Sequence, residues 1–264
     1  MRRAAGKVYL IGAGPGNPEL LTLKAARILA SADVVLHDAL VTVEILAMVP
    51  ATARRVDVGK RCGTKLLTQE DINALLIAHA QAGGVVVRLK GGDPGIFGRG
   101  GEEIDALLAA ALDFEIVPGI TAAIAAAAGA RISLTDRRIA SNLLITTLQR
   151  RGGQVRLGID RVPPNTTVAI YMPGSDYRFL AESLGAAGIG SDVPCAAIAS
   201  ASGMSQQVVV TTVGKLPAFP SLPAPTLLIV GHVVSSTSFV AEANAWREHI
   251  ATQLSDPQLA VSST

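Results

Sequence analysis

Apolar residues in the first 120 positions fall into short β-branched runs separated by stretches of helical spacing. Lys7-Val-Tyr-Leu-Ile-Gly12, Asp33-Val-Val-Leu-His-Asp38, Arg54-Arg-Val-Asp57, Gly84-Val-Val-Val87 and Phe114-Glu-Ile-Val117 read as strands. Helices are predicted after Leu21, over Gln69 to Ala82, where Ile72, Leu75, Leu76 and His79 share a face, and from Glu102 onward. Strands alternating with helices predict an α/β fold with a largely parallel sheet. The texture changes after Gly119. Ile120 to Gly129 is a small-residue helix, and strands follow at 142–147, 166–172, 194–199, 207–212 and 226–234, with one helix at 176–187. Adjacent strands without intervening helices point to a mixed sheet. The expectation is two α/β domains, 1–118 and 119–250, and a polar frayed tail at 251–264. The Gly-, Arg- and Pro-rich stretch 150–164 is expected to be a long loop.

Glycine then changes the picture. Two of the predicted strands run directly into glycine-rich loops: Gly12-Ala-Gly-Pro-Gly-Asn17, and Arg88-Leu-Lys-Gly-Gly-Asp-Pro-Gly-Ile-Phe-Gly-Arg-Gly-Gly-Glu-Glu103. Gly-Gly-Asp-Pro alone is an ordinary turn, but the full string spends too many glycines for that reading. Loops at the carboxyl ends of strands are where open parallel sheets bind ligands, and glycine there lets backbone amides approach one closely. Gly92 in particular is expected to turn its N–H toward a small polar ligand. A nicotinamide dinucleotide fits less well: the first loop misses the sixth-position glycine of that fingerprint, and Pro15 lacks an N–H a pyrophosphate would use. Asp38 ends the second strand level with both loops. An acid there is a ribose ligand in a dinucleotide fold, a turn former, or a site residue, and its position favours the last. His37 points to the other face of the strand, so a His37–Asp38 side-chain pair is not expected.

Charge and composition narrow the partners. The 264 residues carry a formal charge of +2, with basic residues in pairs at Arg54-Arg55, Lys60-Arg61, Arg137-Arg138 and Arg150-Arg151, a distribution suited to an acidic small ligand. Aromatics make up 3%, too few for the stacking platforms of single-stranded nucleic-acid binding. Cys62 and Cys195 suggest neither a disulfide framework nor a zinc site, so no metal is expected and a reducing cytoplasm fits. Met1-Arg-Arg-Ala-Ala-Gly lacks the apolar core of a signal peptide, and no apolar run is long enough to span a bilayer; a soluble protein is expected.

Several blocks in order carry a resemblance. These are Gly12-Ala-Gly-Pro-Gly-Asn-Pro-Glu-Leu-Leu-Thr-Leu-Lys24, Val34-Val-Leu-His-Asp-Ala-Leu-Val41, Val58-Gly-Lys-Arg61, Gln69-Glu-Asp-Ile-Asn73, Val87 through Glu103 and Val117-Pro-Gly-Ile-Thr-Ala122. Together they resemble the uroporphyrinogen-III C-methyltransferases, a branch of the S-adenosylmethionine-dependent tetrapyrrole methylases. The resemblance covers the first half in near-identical blocks and continues more weakly to about Val234. It implies two α/β domains with a cofactor cleft between them, a homodimer, S-adenosyl-L-methionine as methyl donor with S-adenosyl-L-homocysteine as product, and methylation of uroporphyrinogen III at C2 and C7 to precorrin-2 on the way to sirohaem or cobalamin. By the same resemblance the cofactor contacts fall on Pro15, Gly91, Gly92, Asp93, Ile96, Thr121, Ala122, Met172 and Ala201, and the acid–base pair on Asp38 and Lys60.

The substrate's carboxylates call for cations, and Arg61, Arg99 and Arg137 are the leading candidates, with Arg88, Lys90 and Arg138 beside them. Departures from the family pattern gather on this side. Asp136 stands where the family usually has histidine in Leu-Thr-His-Arg, and Thr147-Leu148 where it has Gly-His. Pro173 is inserted into Tyr-Met-Gly, and Ala201 replaces the usual glycine. A methyltransferase of a later precorrin and a non-catalytic tetrapyrrole-binding relative are the alternatives.

Overall fold

A computed structural model describes residues 6–59, 67–151, 154–203 and 205–236. Lys60, Arg61 and Cys62 lie outside the described residues, as does the expected tail at 251–264. The chain divides into two compact units between Ala122 and Ala123, a little beyond the boundary expected at 118.

Among the described residues the first unit holds five strands: β1 (Lys7–Gly12), β2 (Val34–His37), β3 (Arg54–Asp57), β4 (Val85–Lys90) and β5 (Phe114–Val117). They form an all-parallel sheet in the order β3-β2-β4-β1-β5. The helices described between them are α1 (Leu23–Leu29), the short α2 (Val43–Leu46), α3 (Gln69–Gln81) and α4 (Gly100–Ala109). Thr22 caps α1, its Oγ1 accepting from the Ala25 amide at 3.1 Å, and Thr68 and Asp71 form a capping box on α3. The sheet is buried on both faces. Ile11, Val35, Val87 and Leu89 pack with Ala25, Ile28 and Leu29 of α1, while Val8, Leu10, Leu36 and Val86 pack with Ile72, Leu76 and Leu107 of α3 and α4. Period-two alternation assigns successive residues of β4 to opposite layers, which puts Arg88 and Lys90 on the α3–α4 side with Val86.

This strand order sets the site. From β1 the chain moves to β2 and β3 on one side; from β4 it moves to β5 on the other. β1 and β4 are therefore neighbours whose connections leave in opposite directions, and the crevice outside their carboxyl ends is a topological switch point. Both glycine-rich loops follow these two strands.

The second unit contains α5 (Ala122–Gly129), which begins at the boundary, then β6 (Asn142–Arg151), β7 (Gln154–Leu157), β8 (Thr166–Tyr171), α6 (Tyr177–Ala186), β9 (Pro194–Ala199), β10 (Gln207–Thr212) and β11 (Thr226–Val230). Its sheet has the order β10-β9-β11-β8-β6-β7 and is mixed as expected: β6 and β8 are parallel, the other pairs antiparallel. Tyr177, Leu180 and Leu184 of α6 pack on Val168, Ile170, Cys195, Ala197, Leu228 and Val230. The structure corrects the long loop at 150–164. β6 runs on to Arg151 and pairs with β7, Leu148 opposite Leu157, and residues 158–165 lead irregularly into β8.

Candidate functional site

The two glycine loops are joined to each other by their main chains. Gly14 N–H donates to Gly92 O at 3.1 Å and Gly92 N–H to Gly14 O at 2.7 Å, while Ala13 N–H donates to Lys90 O at 2.7 Å. The Gly92 amide is therefore occupied within the protein, which corrects the expectation that it faces a ligand. Its glycine is required by conformation: φ is +68°, and a Cβ there would find its nearest neighbours only at 3.9 Å. Gly12 and Gly119 are required by space. A Cβ on Gly119 would sit 2.3 Å from Gly92 O and 2.7 Å from Gly12 Cα, so three backbones meet where β1, β4 and β5 end. Asp93 holds the same junction, Oδ2 accepting from Gly119 N–H at 3.0 Å and Oδ1 from Gly95 N–H at 2.8 Å. Thr42 Oγ1 donates to Gly16 O at 2.8 Å and fastens the first loop to the start of α2.

Asp38 stands at the same end of the sheet, beside a buried group of charges. Arg88 Nη2 donates to Asp38 Oδ1 at 2.5 Å, and Arg88 Nε to Glu103 Oε1 at 2.8 Å. Arg88 Nη1 reaches Leu89 O at 3.2 Å and Leu36 O at 3.4 Å. Lys90 Nζ lies 3.1 Å from Glu103 Oε1 and 3.0 Å from Oε2. The Glu103 side chain is 0% exposed, those of Arg88 and Lys90 3%, and that of Asp38 29%. Burial opposes the charge on Arg88, yet Asp38 and Glu103 outweigh it and hold its pKa above the ordinary arginine value. Lys90 goes the other way: burial, and then the Arg88 charge, pull it below the ordinary lysine value against the attraction of Glu103. Arg88 and Lys90 are thus internal cations, and their candidacy for substrate carboxylates is withdrawn. His37, as expected, makes no pair with the Asp38 carboxylate; its Nδ1 lies 3.3 Å from the Asp38 carbonyl.

The remaining first-unit candidates ring these loops. Pro15 and Gly91 are half-buried in them, Ile96 donates its N–H to Asp93 O at 3.2 Å, Thr121 is buried, and Ala122 opens α5. Arg99 is an exposed residue with φ +56°, paired through Nε and Nη2 with both oxygens of Glu102 at 2.7 and 2.6 Å. Lys60 and Arg61, the proposed acid partner and a substrate cation, lie outside the described residues.

In the second unit, Met172 follows β8 with φ +48° and an exposed side chain, and Ala201 follows β9 between Ser200 and Ser202, both with positive φ. Tyr171 Oη accepts the amide of Ala123 in α5 at 2.8 Å, and Thr147 Oγ1 donates to Tyr171 O at 3.0 Å, so the residue at the family's glycine position has structural work. Asp136 closes a turn by main-chain bonds to Ala140 and grips Arg138, with Nε–Oδ1 2.9 Å and Nη2–Oδ2 2.6 Å. These bonds to Arg138 hold the Asp136 carboxyl down at about 2. Arg137, between them in sequence, is exposed. Sequence reading missed Glu103, Arg88 as the partner of Asp38, and the Tyr171 hydroxyl. The available signal was Arg88 and Lys90 at i and i+2 in an otherwise apolar strand, a pattern that demands a buried acid.

Among the described residues no helix is long and apolar enough to cross a membrane, and no group of three or more His, Cys, Asp or Glu could hold a metal ion. A parallel sheet with two glycine loops at its switch point and an acid beside them is an arrangement in which open parallel sheets hold small polar molecules. The family is specific. Residues 7–217 match the Tetrapyrrole (Corrin/Porphyrin) Methylases, and the chain belongs to that family. It is 47% identical over 236 residues to the uroporphyrinogen-III C-methyltransferase of Paracoccus denitrificans, covering 87% of this chain and 82% of that one. It is 44% identical to a siroheme synthase of Nitrosococcus oceani, of whose length it spans about half, 50%. The uroporphyrin-III C-methyltransferase of Thermus thermophilus, crystallised with S-adenosyl homocysteine, superposes with a TM-score of 0.76 at 38% identity, over 88% of this chain and all of that one. These likenesses bear out the resemblance drawn from the sequence blocks.

Proposed function

We propose that this protein is an S-adenosylmethionine-dependent C-methyltransferase that converts uroporphyrinogen III to precorrin-2 by methylation at C2 and C7. The observation that carries this is the joint one: 47% identity across 82% of the Paracoccus enzyme, together with two glycine loops interlocked at the switch point of the sheet. The residues fit the donor. Cβ atoms on Gly12 and Gly119 would strike the backbone of the facing segments, so the loops around the proposed donor site close on one another without side chains and leave main chain to meet a ligand. Pro15, Gly91, Gly92, Asp93, Ile96, Thr121, Ala122, Met172 and Ala201 are the residues proposed to hold it, Gly92 and Asp93 by shaping the loop. When bound, S-adenosylmethionine supplies an electrophilic methyl group, which an electron-rich pyrrole carbon can take without a metal.

What the chain must add is position and proton handling. Holding donor and acceptor in line is worth effective molarities of ~10⁵ M or more. Methylation leaves a cationic ring that must lose a proton, and Asp38 is the proposed base, its carboxylate part-exposed at the mouth of the sheet while one oxygen is held by Arg88. Lys60 is the proposed acid partner. Arg61, Arg99 and Arg137 are proposed to meet substrate carboxylates. A cytoplasmic homodimer completes the reading.

Asp38→Asn tests the assignment, since it keeps shape and loses basicity. Turnover should fall by roughly 10²–10⁴-fold while S-adenosylmethionine affinity, read by calorimetric titration, is unchanged. Turnover at the wild-type rate removes Asp38 from proton transfer; loss of cofactor affinity instead makes it a cofactor ligand.

A further inference from the structure

The geometry points to Arg88 as a positioning residue for Asp38: a buried guanidinium, clamped from behind by Glu103, that fixes the orientation of the carboxylate proposed as base. This inference rests on that reading of Asp38 and deepens it. Each nitrogen of the Arg88 guanidinium is placed. Nε is held by Glu103, Nη1 by the carbonyls of Leu36 and Leu89, and Nη2 is left to meet Asp38 Oδ1 at 2.5 Å. Glu103 is in turn fixed by Lys90 and by Gln69 Nε2 at 3.4 Å, so the clamp is anchored in β4, α3 and α4 together. Arg88 from β4 meets the Asp38 carboxylate, the Lys90 charge on the same strand is also attracted by it, and the His37 ring meets the Asp38 carbonyl and not its carboxylate.

The physical reason for such a clamp is that an exposed aspartate has free rotation about its terminal torsion, whereas a forked donor fixes one oxygen and so the direction of the other. Burying a guanidinium is costly, and a carboxylate that only capped a turn would need none of it. An ammonium cannot replace the fork. Lysine at position 88 keeps the buried charge against Glu103 but has no second arm to extend to Asp38 at the same time.

The test is a double-mutant cycle with Arg88→Lys and Asp38→Asn, assayed for kcat and KM with uroporphyrinogen III and S-adenosylmethionine. Arg88→Lys should lower kcat about 100-fold, the scale set by misplacing a catalytic group, with both KM values little changed. In the Asp38→Asn background the same substitution should have no further effect, because its target is gone. An unchanged kcat, or a loss that multiplies fully onto that of Asp38→Asn, overturns the inference. If Asp38→Asn alone is fully active, the base assignment fails, a result legible without any Arg88 variant. Should Arg88→Lys not fold, two readings remain. Arg88→Met leaves Glu103 paired with Lys90 and should give the same kcat loss. The ¹⁵Nη resonances of Arg88 in labelled wild-type protein should also move in Asp38→Asn, and unmoved resonances contradict the contact.

Discussion

At the scale of single residues, the site depends on backbone shape more than on reactive groups. Gly92 and Gly119 are both indispensable for different reasons, one for its φ of +68° and the other for a Cβ position 2.3 Å from a carbonyl oxygen. Gly101 is the internal control, inside α4 with no heavy atom within 4 Å of an added Cβ. Gly92→Val and Gly119→Ala should each abolish or strongly weaken S-adenosylmethionine binding, the first also costing ~1–3 kcal/mol of stability through backbone strain. Gly101→Ala should bind normally and gain up to ~1 kcal/mol from helix propensity. Calorimetric titration and thermal unfolding of the three variants read both quantities. The density of glycines was legible in the sequence. Which glycine needed φ and which needed room was not, because the close approach joins residues 12, 92 and 119, brought together only by the sheet register.

Asp136 makes a second residue-scale case. It stands where the family usually has histidine. In the structure it grips Arg138. Its folded pKa is depressed from 3.8 to about 2, so the ion pair's contribution is fully present above 3.8 and is lost as pH falls through about 2. An NMR titration of the Asp136 carboxyl should show that low midpoint, rising toward 3.8 in Arg138→Ala; a midpoint at 3.8 in the wild type would mean the pair does not form in solution. The pair is exposed, so added salt should weaken it.

At the scale of elements, β4 and α4 are fastened by charge where the neighbouring contacts are apolar. Removing the one carboxylate that Arg88 and Lys90 share leaves two buried cations facing each other. Glu103→Leu should therefore cost ~3–5 kcal/mol, read as a large drop in midpoint on thermal unfolding, although the new side chain is apolar and similar in size. A stability equal to wild type would show that Lys90 sheds its proton readily enough to make Glu103 dispensable. The elements themselves were mostly legible: the β-branched runs became strands, and the helix-spaced stretches became α1, α3, α4 and α6. The β6–β7 hairpin was missed because its strands carry Gln and Arg in place of an apolar alternation, and glycine and arginine density read as loop. The buried role of Arg88 and Lys90 was hidden for a related reason. Composition marks a cation as a surface group, and only the pairing of β4 between β1 and β2 shows that no surface is there.

At the scale of the whole molecule, the strand order β3-β2-β4-β1-β5 brings both glycine loops and Asp38 to one end of one sheet. The sequence blocks were enough to name the chemistry, because they lie on the loops proposed to perform it. The substrate side was harder to read: its proposed cations are scattered, Arg99 and Arg138 are engaged by acids of the protein, and Arg137 is exposed beside Arg138. The most direct test is to incubate the protein anaerobically with uroporphyrinogen III and S-adenosylmethionine at two salt concentrations, beside Arg137→Ala, and to weigh the tetrapyrrole by mass spectrometry. The account predicts a product carrying two added methyl groups, matched by S-adenosylhomocysteine, with KM for the tetrapyrrole raised by salt and by Arg137→Ala. Unmodified uroporphyrinogen III in the presence of protein shown by calorimetry to bind S-adenosylmethionine would contradict it.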